Sequence, residues 1–95
     1  MPSYIALLKF TEKGAKEIKK STNRAHQFDT FAEKSGVKVV GQYWTLGSWD
    51  GALILSASDE TKILRMLTAL VALGNVTTQT MRAFVDSEFD QIVGK

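Results

Sequence analysis

Ninety-five residues, 44% hydrophobic and 23% charged, have the size and balance of one ordinary globular domain. Twelve Lys and Arg against ten Asp and Glu leave a net charge of only +2, short of the one-sided basic excess that tracks phosphates, so no nucleic-acid partner is expected. The absence of cysteine excludes disulfides and thiolate metal sites, and the longest greasy run, from Met66 to Leu73, is too short to cross a bilayer.

No membrane partner is therefore expected. The opening residues Met1, Pro2, Ser3 and Tyr4 show no basic segment followed by an apolar core, so no signal peptide is expected and the cytoplasm is the expected location. Residues 3–10 read as a strand, with β-compatible residues and Lys9 as its one charge. Thr11 and Glu12 then open a long helical segment that runs to about Lys34. Its apolar positions Ile18, Ala25, Phe28 and Ala32, with Phe31 beside them, recur three, four or seven apart, as one helical face requires. The basic run Lys13, Lys16, Lys19, Lys20 and Arg24 contains Glu12 and Glu17 and no interleaved aromatics, so it reads as the solvated face of that helix. Gly36 suits the stop, because glycine tolerates the left-handed backbone found there.

Residues 37–46 form a second expected strand, rich in β-branched and aromatic side chains. A turn at Gly47 and Ser48 returns the chain as a third strand over 51–57, giving a hairpin. Ser58 or Asp59 can cap a second helix by accepting from the free amides of its first turn. Ile63, Leu64, Leu67, Leu70 and Val71 are expected to line its buried side, and Gly74 with Asn75 to end it. Residues 76–86 then read as a fourth strand, and 87–93 as a short terminal helix or tail.

The order β-α-β-β-α-β predicts an α+β fold of ferredoxin-like topology, two right-handed crossovers sharing a hairpin beneath one layer of helices. Alternation sends Tyr4, Ala6 and Leu8 to one face of the sheet and Ile5 and Leu7 to the other; Leu53 and Leu55 likewise oppose Ala52 and Ile54. Both faces are apolar, yet only one can lie under the helices. Four strands about 4.8 Å apart and ~20 Å long leave an open face on the order of 400 Å². A patch of that size marks a binding surface, and self-association is its simplest cover, so a homo-oligomer, dimer or higher, is expected. A small organic ligand or a different partner would also cover it.

Several stretches resemble the GYD-domain family, named for a Gly-Tyr-Asp signature. They are the run from Tyr43 and Trp44 through Gly47 to Trp49 and Asp50, then Leu73 to Val76, and Thr80 to Phe84, together with the opening strand leading into Phe10, Thr11, Glu12, Lys13 and Gly14. The resemblance spans nearly the whole chain as a single domain. Trp49 stands at the signature tyrosine, and Ser56, Ala57, Ser58 and Asp59 replace an acidic residue and a proline often found before the helix cap. The resemblance implies a dimeric α/β-barrel, two such sheets packed together, and carries over no assured catalytic residue.

Candidate site residues are Tyr43, Trp44, Trp49, Asp50 and Arg82. Asp50, at the mouth of a strand beside Trp49, could act as a general base or polar anchor, or could simply bond turn amides. Tyr43 and Trp44 fall on opposite faces, able either to stack on a flat ligand or to anchor a subunit interface. Arg82 shares a strand face with Thr78, Thr80 and Phe84 and could bind an anion or form an ion pair between subunits. His26 is the single histidine, so no two-histidine metal site can form within the chain, and no metal or cofactor is expected. Three functions stay open: a homo-oligomeric small-molecule-binding module, a structural or interaction protein, and a cofactor-free oxygenase or isomerase using Asp50 as base.

Overall fold

The computed structural model describes residues 1–94 and contains a four-stranded antiparallel sheet in the order β2-β3-β1-β4. The strands are β1 (Ser3–Phe10), β2 (Val37–Trp44), β3 (Gly51–Ala57) and β4 (Val76–Ala83). The helices are α1 (Glu12–Lys16), α2 (Ser21–Lys34), α3 (Glu60–Ala72) and α4 (Asp86–Ile92). This is the expected ferredoxin-like α+β arrangement, with β1 and β3 central.

Register fixes which side chains share a face. Tyr4 lies opposite Leu55 and Arg82, Ala6 opposite Leu53 and Thr80, and Leu8 opposite Gly51 and Thr78. Tyr4, Ala6, Leu53, Leu55 and Ala57 are buried, joined by Phe28 and Ala32 from α2 and by Ile63, Met66 and Leu67 from α3. Each large aliphatic side chain so buried contributes about 1.5–3 kcal/mol. The other face carries Ile5 opposite Ile54 and Met81, and Leu7 opposite Ala52 and Gln79. A bulge between Val39 and Gly41 shifts the β2–β3 register and leaves Val40 exposed.

Four expectations need correction. The first helix is not continuous: Glu17, at φ −110 and ψ 32, leaves helical geometry, and a 3₁₀ turn over Ile18–Lys20 separates α1 from α2. The cause is a shortage of apolar anchors before Ala25. Ile18 is exposed, so nothing presses this stretch onto the sheet, and Arg24 Nη1 instead donates to the Glu17 carbonyl at 3.1 Å. On α3, Met66 is fully buried while Leu64 and Val71 are exposed, because the core stripe runs through 63, 66, 67 and 70 and leaves those two on its flank. β2 stops at Trp44, two residues early, where Thr45 turns its amide to the Asp50 carbonyl and its hydroxyl to the Trp49 carbonyl. β4 stops at Ala83, and Glu88 accepts from the Val85 amide at 3.0 Å to open α4.

α3 starts on Asp59, whose carboxylate accepts from the Lys62 amide at 3.1 Å, one of the two caps anticipated. Thr11 has a double part at the β1–α1 junction. Its hydroxyl accepts from the Gly14 amide and donates to the Gly74 carbonyl at 2.6 Å, tying the start of α1 to the end of α3. Thr11 N also donates to Asn75 O at 3.0 Å, and Lys13 Nζ to Leu73 O at 3.0 Å. Gly14 allows this closeness, since a Cβ there would lie 2.0 Å from the Asn75 carbonyl oxygen.

Candidate functional site

α2 lies over β2, and α3 over β3 and β4, and toward the end of β1 the two helices leave a space above the sheet. A cavity of about 500 Å³ occupies it. Its floor comes from Leu8 and Phe10 of β1, Gly51 and Leu53 of β3, and Val76 of β4; Phe28, Leu70 and Leu73 close over it. Gly51 keeps the floor low, because a Cβ there would sit 3.0 Å from the Tyr43 carbonyl oxygen and 3.5 Å from Leu8.

Of the five candidate residues, three border this cavity: Tyr43, Trp44 and Asp50. Trp44 pairs with Gly51 on the helix-covered face, and its Nε1 donates to Ser21 Oγ of α2 at 2.9 Å, fastening the rim of the cavity to the sheet edge. Tyr43 pairs with Ala52, and its ring lies beside Gly41 and Ile54 on the open face. It is the aromatic that alternation required to meet that side. Asp50 binds β1 at two points. Its amide donates to Leu8 O at 2.8 Å, and its Oδ2 accepts from the Phe10 amide at 2.8 Å. One carboxylate oxygen is therefore committed to holding the strand end, and the side chain still borders the cavity.

Trp49, half-buried in the loop before Asp50, does not border the cavity. Arg82 lies at the far end of the sheet, opposite Tyr4, whereas Gly51, next to Asp50, lies opposite Leu8. Its guanidinium stacks 4.2 Å from the Phe84 ring and 5.7 Å from the Tyr4 ring, and donates to the carbonyls of Ser3 and Ala83. Arg82 and Asp50 thus belong to opposite ends of one subunit.

Two polar residues of the cavity went unrecognised from the sequence. Arg24 and Asn75 both border it, and each carries a buried polar atom, Nη2 and Oδ1 respectively, without a hydrogen-bond partner among the described residues. For Arg24 a signal existed: it precedes Phe28 by four and Phe31 by seven, which places it on the apolar stripe of α2 and not among the solvated lysines. Asn75 shows in the sequence only as part of the helix stop with Gly74.

No group of three or more His, Cys, Asp or Glu side chains suited to a metal occurs among the described residues. No helix there is long and apolar enough to cross a membrane. His26 is exposed on α2.

Comparison with known proteins gives a family and a curated relative. A relative from Thermus thermophilus, "Glutamine synthetase and cystathionine beta-lyase binding protein", is 33% identical over 84 residues, which cover 87% of this chain and 88% of the relative. No solved structure matches. The GYD domain matches residues 4–93, nearly the whole chain, and the protein belongs to the GYD-domain family.

Proposed function

We propose that this chain is a homo-oligomeric small-molecule-binding module whose ligand occupies the cavity between the sheet and α2 and α3. The observation that carries the reading is the cavity itself. Its 500 Å³ falls within the range of about 300–1,000 Å³ typical of small-molecule sites, and its wall is mainly apolar with a few polar groups, as such sites require.

Oligomerisation rests on the opposite face of the sheet. The half-buried Ile5, Leu7, Ala52 and Ile54 and the exposed Met81 form an apolar surface there that no described element covers. α4 carries a separate apolar surface, with Phe89 and Ile92 exposed and the helix packed closely against no other described element. A second copy laid on the open sheet face would bury it. Native mass spectrometry of the protein as purified tests both parts. A dimer or larger species with added mass supports the module, a bare oligomer removes support for a tightly held ligand, and a stable monomer overturns the assembly.

The name of the Thermus relative favours a second reading, an interaction module that docks on metabolic enzymes, with α4 and the flank of α3 at Leu64 and Val71 as its exposed apolar surfaces. Titration of the purified chain into glutamine synthetase and cystathionine β-lyase from the same source, by calorimetry, decides it. Heat saturating at a fixed stoichiometry with either enzyme supports docking; none with either removes it.

A further inference from the structure

Resting on the cavity as the ligand site, we propose that its ligand is an amphipathic organic anion, an apolar and preferably aromatic body carrying a carboxylate, sulfonate or phosphate head held by Arg24. Four observations converge on this. Arg24 borders the cavity, and among the described residues its Nη2 has no hydrogen-bond partner. Its Nη1 spends its bond on a neutral acceptor, the Glu17 carbonyl. Glu17 Oε2 stands 3.9 Å away, too far for a hydrogen bond, so the guanidinium charge is only loosely matched. Among the described residues the one carboxylate bordering the cavity, Asp50, is drawn toward β1 by the Phe10 amide and makes no ion pair with Arg24.

A guanidinium offers a planar fork that matches a carboxylate or phosphate edge, and burial strengthens the attraction by excluding competing water. The rest of the wall suits a ring system, with Phe28 and Trp44 beside Leu53 and Leu70. Asn75, which also borders the cavity, adds a polar side chain to that wall.

The test compares two fluorescent probes that differ by one group: 1-anilinonaphthalene-8-sulfonate, which is anionic, and N-phenyl-1-naphthylamine, which is neutral. Each is titrated into the wild type, Arg24→Met and the variant Ala69→Trp, which fills the cavity from the α3 residue Ala69 on its wall, with folding of each checked by far-UV circular dichroism. Ala69→Trp should abolish saturable binding of both probes. Arg24→Met should weaken the sulfonate probe by about 10-fold or more, the usual weight of a charge-assisted bond, and the neutral probe by less than about 2-fold. Equal effects of Arg24→Met on the two probes, or none on either, would overturn the anion assignment and leave the cavity standing. Unchanged binding of both probes in folded Ala69→Trp would overturn the cavity and this inference with it. A measurement on the wild type alone guards against a variant that does not fold: 1-naphthoate should displace the neutral probe at a concentration about 10-fold below that of 1-naphthamide, and equal potency of the two would refute the role of charge.

Discussion

Replacing Gly14 with alanine exchanges a poor helix former for the best one, a change worth about 1 kcal/mol of stabilisation in an exposed helix interior. At this position the sign is expected to reverse. The new Cβ would sit 2.0 Å from the Asn75 carbonyl oxygen and 2.9 Å from its carbonyl carbon. Both are backbone atoms, so no side-chain rotation relieves the clash; α1 must move away from the turn between α3 and β4. That movement strains the bonds that join them, Thr11 N to Asn75 O at 3.0 Å and Thr11 Oγ1 to Gly74 O at 2.6 Å. Overpacking costs about 1–3 kcal/mol and each lost bond about 1, so after subtracting the helix gain the net loss is ~2–4 kcal/mol. For a domain of this size, a midpoint lowered on the order of 10–25 °C follows. Thermal unfolding followed by far-UV circular dichroism, with a urea midpoint beside it, measures the effect. A melting temperature equal to or above that of the wild type would refute the reasoning, because it would mean the junction yields at no cost.

Further outcomes are expected elsewhere. Met66→Ala empties a fully buried position in α3 and should cost about 2–5 kcal/mol, read from urea denaturation. Asp50→Asn keeps an oxygen that can accept from the Phe10 amide and should stay within about 1 kcal/mol of the wild type, whereas Asp50→Ala strands that amide and should cost about 1–3 kcal/mol by the same assay. Ile54→Lys, on the open face opposite Ile5, should yield a folded monomer by light scattering if the sheets meet there, with secondary structure unchanged by circular dichroism.

The central strands were legible in the sequence to the residue. β1 and β3 are uninterrupted β-compatible runs bounded by Thr11 and by the Gly47–Gly51 turn, and nothing competes with that pattern. The first helix was less so. Periodicity saw Phe28 and Ala32 correctly but could not see that the stretch before them has no surface to press against, and the break at Glu17 depends on a bond from Arg24 that spacing does not announce. On α3, a leucine and a valine seven apart looked like a stripe, while the true core stripe passed through Met66. Trp44 and Asp50 stood out from their residue types and positions. Arg24 did not, because a lone cation at the end of a lysine-rich run reads as solvated until the helix it belongs to begins at Ser21. Asn75 lay outside any pattern: its place in the cavity comes from contact with α1, a partner about sixty residues earlier in the chain.

The same two strands wall the cavity and present the uncovered face, and this alternation separates the two proposed surfaces at single-residue resolution. Leu8 and Leu53 point toward the helices and border the cavity; Leu7, Ala52 and Ile54, their immediate neighbours in sequence, point away. A polar substitution at Leu53 should therefore disturb the core and probe binding, and one at Ile54 should disturb assembly alone. The separation is not complete, because Tyr43 belongs to both sides: its strand borders the cavity while its ring rests beside Gly41 and Ile54 on the open face. Tyr43→Ala would then expose whether the surfaces communicate. Loss of self-association with unchanged probe affinity would mean two independent functions carried on one sheet, and a joint loss would mean that the edge formed by β2 transmits occupancy of the cavity to the subunit contact.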